Sequence, residues 1–346
     1  MSQQTSLRTS RNGHAQALTQ SPLRHFLRDD DLSPAEQHEL LEVARKFRHR
    51  ALPGEAALLA GPRAVAVLFD KPSLRTRVSF AVGVAELGGY PLVIDTTSTH
   101  DGRGEPIADV ARVLTRQVAA IVWRTSGQER LEEMAAASTV PVINALTDKY
   151  HPCQVLADLL TILEAHGRLG GLTLTFLGDG SFNMAHSYLL GGATAGMHVR
   201  ICAPEAYWPA ADVLAVAAAI AERTGGSVSV SADPQEACEG ADVLATDVWT
   251  SMGHEGQERT RSGAMSAYSL DAAKLAVASS DCRVLHCLPA HRGEEIAAEV
   301  IDGPASLVWD QAENRLHAQK ALLWFLLGGA EPGGPKPVDQ APGATR

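Results

Sequence analysis

The chain is short of three things. It has no run approaching the roughly eighteen apolar residues that a membrane-spanning helix needs, and residues 1–21 are rich in Gln, Ser, Thr and Arg without an apolar stretch. Neither a membrane span nor a secretory leader is expected. Cysteine is scarce: five residues, Cys153, Cys202, Cys238, Cys282 and Cys287, an odd and widely spread set. That argues against a disulfide framework and for reduced thiols in a cytoplasmic protein. Concentrated basic charge is also missing. The net charge is −10 at pH 7 with 30 Lys and Arg scattered along the chain, so no nucleic-acid partner is indicated. A small anionic ligand is still allowed, because local charge outweighs the global sum.

What the chain does have is length for two domains, and two domains imply a cleft; 346 residues can bury two cores. Residues 1–22 and 328–346 read as loose tails, the second being full of Gly and Pro. Ser33-Pro34-Ala35-Glu36 spells a capping box with proline at the first helical position, ahead of the stripe Leu40, Leu41, Ala44 and Phe47. Apolar strands then alternate with amphipathic helices: strands at 64–69, 91–95, 119–123 and 141–144, helices at 75–87, 106–116 and 128–137. A helix at 152–166 reads as a bridge to a second series, with strands at 173–177, 198–202, 227–231, 242–247 and 283–287. Helices at 184–195 and 209–223 lie within that series, and a last helix at 311–327 is expected to cross back onto the first domain. This is the grammar of an α/β fold of two domains, each a parallel sheet flanked by helices.

In open parallel sheets ligands bind beyond the carboxyl ends of the strands, and the suggestive residues fall there in both halves. After the first strand comes Phe69-Asp70-Lys71-Pro72-Ser73-Leu74-Arg75-Thr76-Arg77. Its hydroxyls, guanidiniums and helix N-terminal N–H groups suit a phosphate. Cations in the first turn of a helix oppose its dipole, so a merely solvated basic turn would be poorly placed without an anion. Arg124, His151 and Gln154 add donors from neighbouring strand ends, suited to polarising a carbonyl beside that phosphate. Taken singly, Arg124 reads equally as a surface residue and His151 as a helix-end residue held by local contacts.

The second half suggests a different ligand. Asp247 can accept from an ammonium with Ser251 assisting, while Asn183 and the Met252 backbone N–H can hold a carboxylate, together a receptor for the backbone end of an amino acid. Each alone also reads as a loop or cap residue. Cys287, in His286-Cys287-Leu288-Pro289, is a candidate proton acceptor if nearby cations lower its pKa. Cys282, His286, Cys287 and His291 have ligand-like spacing for zinc, but alternate strand residues face opposite ways, which sets His286 and Cys287 apart. Gly178-x-Gly180-x-x-Asn183 nearly spells a dinucleotide fingerprint, which would make the protein a nicotinamide dehydrogenase; the third Gly is absent and the Arg-rich first half would have no purpose.

With these motifs in order, the chain resembles the ornithine carbamoyltransferases of the aspartate/ornithine carbamoyltransferase family from about Leu23 to Leu327. The resemblance rests on Phe69 to Arg77, His151-Pro152-Cys153-Gln154-Val155-Leu156-Ala157-Asp158, Asp247 with Ser251-Met252-Gly253, His286 to Pro289, and Glu313-Asn314-Arg315. It implies attack by the side-chain amine of L-ornithine on carbamoyl phosphate, giving L-citrulline and phosphate in arginine biosynthesis with no metal or organic cofactor. It further implies a carbamoyl-phosphate-binding domain over 23–151, joined by the last helix, and an ornithine-binding domain over 152–310. Ser73, Leu74 through its backbone, Arg75 and Thr76 would cradle the phosphate. Arg124, His151 and Gln154 would hold the carbamoyl end, and Arg315 and the Leu288 backbone would close over it. Asn183, Asp247, Ser251 and Met252 would bind ornithine, with Cys287 beside the attacking amine. The family's trimers share their sites through a loop that would here be Ser98 to Arg103, with His100 where members usually carry Gln. Leu74 replaces the usual Thr, and Phe182 replaces the first Asn of an Asn-Asn pair. These departures keep open a divergent paralogue acting on an ornithine analogue, while the retained Arg75, Arg124, His151, Asp247 and Cys287 speak against a regulatory subunit without turnover.

Overall fold

The computed structural model describes residues 23–50, 58–61, 63–96, 104–249 and 263–328. The expected capping box opens helix α1 (Pro34–Arg48): Ser33 accepts from the Glu36 N–H, and the Glu36 carboxylate accepts from the Ser33 N–H. Leu40, Leu41, Ala44 and Phe47 are all buried.

Strands β1 (Ala64–Phe69), β2 (Tyr90–Asp95), β3 (Ala120–Arg124) and β4 (Val142–Leu146) form a parallel sheet in the order β2-β1-β3-β4. Helices α2 (Leu74–Glu86), α3 (Ile107–Leu114) and α4 (Gln128–Ala137) make the crossovers. Strands β5 (Thr173–Leu177), β6 (His198–Cys202), β7 (Ser227–Ser231), β8 (Val243–Thr246) and β9 (Arg283–His286) form a second parallel sheet, ordered β7-β6-β5-β8-β9. Its helices are α6 (Asn183–Thr194), α7 (Ala211–Thr224) and the short α8 (Pro234–Cys238), α9 (Ala272–Val277) and α10 (Ala298–Ile301), with α5 (Pro152–His166) between the sheets. The last helix, α11 (Val308–Leu326), begins three residues earlier than expected and packs on α1, α2 and α5. Helices α8 to α10 were not anticipated, since one or two turns leave no room for a helical period to show.

Each sheet reverses its strand order once. In the first the chain runs outward from β1 to β2 and returns to β3 on the other side of β1; in the second it runs from β5 through β6 to β7 and returns to β8 beside β5. Such reversals leave a crevice at the strand ends, because the loops on the two sides diverge. One apolar core runs through both sheets by way of α5, α6 and α11, and includes Phe69, Phe80, Leu159, Phe176, Tyr188 and Leu322. Among the described residues no helix is long and apolar enough to cross a membrane, and all five cysteines are free and buried.

Helix α6 is buried along its whole length, and it lies against α5 through glycine. A Cβ at Gly191 would sit 2.7 Å from Val155 Cγ1 and 3.3 Å from Asp29 Oδ1. Gly191→Ala should therefore push α6 off α5 and lower the unfolding free energy by about 1–3 kcal/mol, measured by urea denaturation.

Candidate active site

The reversal in the first sheet lies between β1 and β3, and both strand ends carry cations. Ser73 is the N-cap of α2 but makes no capping bond with its side chain, which leaves the hydroxyl for a ligand. Arg75, in the first turn, donates through Nη2 to the Leu288 carbonyl and so reaches across to the second lobe. Thr76 Oγ1 accepts from Arg315 Nη2 at 3.2 Å. Arg77 points elsewhere: it pairs with Asp95 and stacks 4.7 Å from the centre of the Phe69 ring. The Leu74 side chain is 74% exposed and does not line the cleft.

Arg124 ends β3 at a bulge, where the pairing shifts between Trp123 and Arg124 and re-aims the strand end. Burial, reinforced by Arg315 and Arg75, pulls its guanidinium down to about 10. His151, the N-cap of α5, is held by its N–H on Ser187 Oγ at 2.9 Å, while its Nδ1 is buried without a hydrogen-bond partner. Burial and the same three arginines push its pKa well below the usual histidine value. The ring is therefore neutral at pH 7 and can donate one hydrogen bond without adding charge.

Gln154 sits one turn into α5 with both ends of its amide engaged. Its Oε1 accepts from Arg315 Nη1 at 2.6 Å, and its Nε2 donates to Asp158 Oδ1 at 2.9 Å. Asp158 also accepts from Gln311 at 2.7 Å and Tyr188 at 2.6 Å. Burial lifts this carboxyl to about 6 against the pull of those hydrogen bonds.

Across the cleft, Asp247 follows β8 and Cys287 follows β9. The thiol donates to Asp247 Oδ1 at 3.0 Å. The condition under which Cys287 would serve as proton acceptor, a thiol lowered by nearby cations, is not met: burial and the Asp247 carboxylate push it well up, outweighing Arg75. Without ligand the group is a neutral thiol. The expectation that strand alternation separates His286 from Cys287 also fails, because β9 ends at His286. Ligand atoms of Asp247, His286 and Cys287 come within 4.8 Å of one another. Both ring nitrogens of His286 are nevertheless engaged, Nδ1 by the Leu288 N–H at 2.9 Å and Nε2 with Glu295 at 3.0 Å, so that ring has no lone pair to spare. Asn183 opens α6 and donates to the Thr147 carbonyl at 2.8 Å.

These groups line one cavity of about 270 Å³. Ser73, Arg75, Thr76, Arg124, His151, Gln154 and Arg315 form one wall, and Asn183, Asp247, Cys287 and Leu288 the other. His100, Ser251 and Met252 lie outside the described residues. Phe182 also lines the cavity beside Asn183. Sequence reading missed Thr125, Ser126 and Asp148, which line it too, and His291, weighed only as a zinc ligand, does so as well. The three missed residues lie in loops just past strand ends already singled out, so position alone could have found them. The near-fingerprint at Gly178-x-Gly180 has a packing cause: a Cβ at Gly180 would lie 2.8 Å from the Tyr207 carbonyl and 2.9 Å from Ile201 Cγ2.

A cluster of guanidiniums with a neutral imidazole faces a carboxylate and a thiol between two parallel sheets, an arrangement suited to an α/β enzyme that takes an anionic ligand on one wall and a cationic one on the other. Comparison with known proteins gives the particular family. Residues 24–164 match the carbamoyl-phosphate-binding domain of the aspartate/ornithine carbamoyltransferases, and residues 170–326 match their Asp/Orn-binding domain. The ornithine carbamoyltransferase of Clavibacter sepedonicus is 62% identical over 304 residues, 88% of this chain and 98% of that protein. The Mycolicibacterium paratuberculosis enzyme of the same name is 58% identical over the same shares. The solved ornithine carbamoyltransferase of Pyrococcus furiosus superposes with a TM-score of 0.84 at 43% identity, covering 89% of this chain and 98% of that one. The chain belongs to the aspartate/ornithine carbamoyltransferase family, and a nicotinamide dehydrogenase is set aside.

Arg75→Ala should weaken inorganic phosphate binding roughly 10- to 100-fold, the ~1.5–3 kcal/mol of one charge-assisted hydrogen bond. Relief of one of three like charges and loss of the bond to the Leu288 carbonyl act in opposite directions, so the thermal midpoint should move little. Calorimetric titration and a melting curve separate this from a structural role, which would lower the midpoint and spare phosphate affinity.

Proposed function

We propose that the chain is an ornithine carbamoyltransferase, converting carbamoyl phosphate and L-ornithine to L-citrulline and phosphate as a step of arginine biosynthesis. The observation that carries this reading is the single cavity in which Arg75, Arg124, His151 and Arg315 face Asp247 and Cys287. In this reading residues 23–151 with α11 form the carbamoyl-phosphate lobe and residues 152–310 the ornithine lobe.

Ser73, the Leu74 N–H, Arg75 and Thr76 take the phosphate at the helix N-terminus. Arg124, His151 and Gln154 meet the carbamoyl group, and the charge that grows on its oxygen in the tetrahedral transition state is stabilised by donors already in place. Arg315 and the Leu288 backbone close over the same substrate. Asn183, Asp247, Ser251 and Met252 bind the amino-acid end of ornithine, and His100 from a neighbouring subunit reaches the phosphate. The amine nitrogen attacks the carbonyl carbon, a C–N bond forms, and the C–O bond to phosphate breaks as phosphate leaves with the electron pair. Holding both reactants in one closed space supplies most of the acceleration.

The nucleophile must be a neutral amine, whereas an alkyl ammonium has a pKa near ~10. Cys287 is a neutral thiol and cannot take the ammonium proton, so that proton is lost to solvent and the amine binds neutral. The thiol now donates to Asp247; once the carboxylate takes the ammonium of the amino-acid end, the sulfur is free to accept a hydrogen bond that orients the amine, and the proton released from nitrogen as the C–N bond forms leaves on the departing phosphate.

We place the enzyme in the cytoplasm as a homotrimer. Supporting subunit contact, Leu74, Val78 and Val82 are 74%, 51% and 41% exposed at helical spacing along one face of α2. A lone exposed apolar residue needs no explanation, but three in a stripe beside a ligand-binding turn suit an interface.

A citrulline assay with carbamoyl phosphate and a panel of ornithine, lysine, putrescine, N-acetylornithine and N-succinylornithine tests the activity. Ornithine should be preferred. Preference for an acylated or shortened amine would instead support a divergent paralogue with its pocket reshaped by Phe182. With ornithine, kcat/KM should climb by about tenfold per pH unit between pH 7 and 9, as the neutral amine fraction grows. A flat profile would overturn the requirement for a free amine.

A further inference from the structure

Asp70 stands outside the cavity lining and outside every role assigned above, yet it gathers more donors than any phosphate-side residue. Its carboxylate is 14% exposed. Oδ1 accepts from Thr96 Oγ1 at 2.6 Å and from Trp123 Nε1 at 2.8 Å. Oδ2 accepts from Thr125 Oγ1 at 2.6 Å and from Arg130 Nη1 at 2.8 Å. Its own N–H donates to the Arg124 carbonyl at 3.0 Å. The donors come from just past the end of β2, from the residues before and after Arg124 at the end of β3, and from α4, where Arg130 also lies over the Trp123 ring at 5.1 Å. Burial pushes the carboxyl up, but the bonds from Thr125, Thr96 and Trp123, with the charge of Arg130, hold it below the usual aspartate range.

The arrangement fixes Arg124 from three sides. Its carbonyl is held by the Asp70 N–H, and the residues before and after it are tied to the Asp70 carboxylate. The same residue begins the turn that delivers Ser73 and Arg75. We infer that Asp70 is a positioning residue for carbamoyl-phosphate binding, locking the Ser73–Arg75 turn and the Arg124 strand end into one rigid anion receptor before the anion arrives. The inference rests on reading the cleft as the carbamoyl-phosphate site. Its physical basis is the repulsion described above: guanidiniums that repel one another separate unless their backbones are clamped, and an acceptor outside the cavity clamps them without neutralising their charge toward the ligand.

Asp70→Asn keeps the volume and one acceptor oxygen but leaves Arg130 without its carboxylate. It should raise KM for carbamoyl phosphate about tenfold, part of the roughly hundredfold that a 1 Å misplacement costs, with inorganic phosphate affinity falling in parallel. KM for ornithine should stay at the parental value, a split that general loosening would not produce. Arg130→Gln and Trp123→Phe each remove one donor and should shift the same two quantities in the same direction by less. These variants carry the test alone if Asp70→Asn does not fold. Parental carbamoyl-phosphate KM and phosphate affinity in the folded variants would overturn the inference, as would an equal rise in KM for both substrates. Failure of the functional reading is distinguished by the parent enzyme, which would then form no citrulline from carbamoyl phosphate.

Discussion

Like charges held together in a buried place are the constraint on which the rest of this structure turns. Arg75, Arg124 and Arg315 come from a helix start, a strand end and the last helix, and all line the same cavity. Their mutual repulsion, added to burial, draws Arg124 down to about 10 and lowers Arg315 as well. A fold does not assemble such a cluster for stability, since a buried charge is costly unless paired. The arrangement is stable only if the backbone is fixed by other means, and it becomes favourable when an anion enters. Ligand binding and fold stability are therefore coupled, because an anion that binds only the folded chain relieves the repulsion the fold has to bear.

The fixing is done by hydrogen bonds that run between the lobes. Arg315 from α11 touches Thr76 on α2 and Gln154 on α5; Gln154 leads to Asp158, Asp158 to Gln311, and the Gln311 Oε1 accepts from the His286 N–H at 2.9 Å. That path runs from the start of α2, beyond β1 of the first sheet, to the last strand of the second without leaving the interior. Asp158 is the carboxylate nearest the middle of it, and its three donors are amides and a phenol, not guanidiniums. A salt bridge at that point would have discharged one of the cations that the cleft presents. Neutral donors hold the carboxylate in place and leave the guanidiniums to the ligand.

The alternation of strands and helices was legible because the strands are short runs of four to six residues, apolar throughout as in β1 or alternating apolar and polar as in β7, bounded by polar turns. The site was legible through position, since Ser73, Arg124, His151, Asn183, Asp247 and Cys287 all follow strand ends in the sequence. Two kinds of information were not. The order of strands within each sheet, and so the reversals that open the crevice, depends on pairings between distant segments that no local pattern carries. The state of Cys287 was not legible because the sequence reveals cations nearby but not that Asp247 Oδ1 lies 3.0 Å from the sulfur. Asp70 escaped notice for a related reason: an aspartate next to a basic turn reads as a local counter-ion until Trp123, Thr125 and Arg130 are seen to converge on it.

On the proposed function, the two walls of the cleft impose an order on what enters. Before any ligand binds, the first wall carries three guanidiniums, against which the described residues of the cavity set only the carboxylates of Asp148 and of Asp247, whose pKa burial has raised. A cationic amino acid approaching that cavity meets net repulsion from across a narrow gap of low dielectric, where Coulomb interactions are least screened. An acyl phosphate meets attraction, and once bound it cancels much of the positive field that opposed the second substrate. At Cys287 the two ligands act in opposite directions, phosphate engaging the cations that favour a thiolate and the incoming ammonium engaging the Asp247 carboxylate that opposes one, so the sulfur stays a neutral thiol. The groups that repel ornithine in the empty site thus become, with the anion in place, the framework that aligns the carbonyl carbon for its amine.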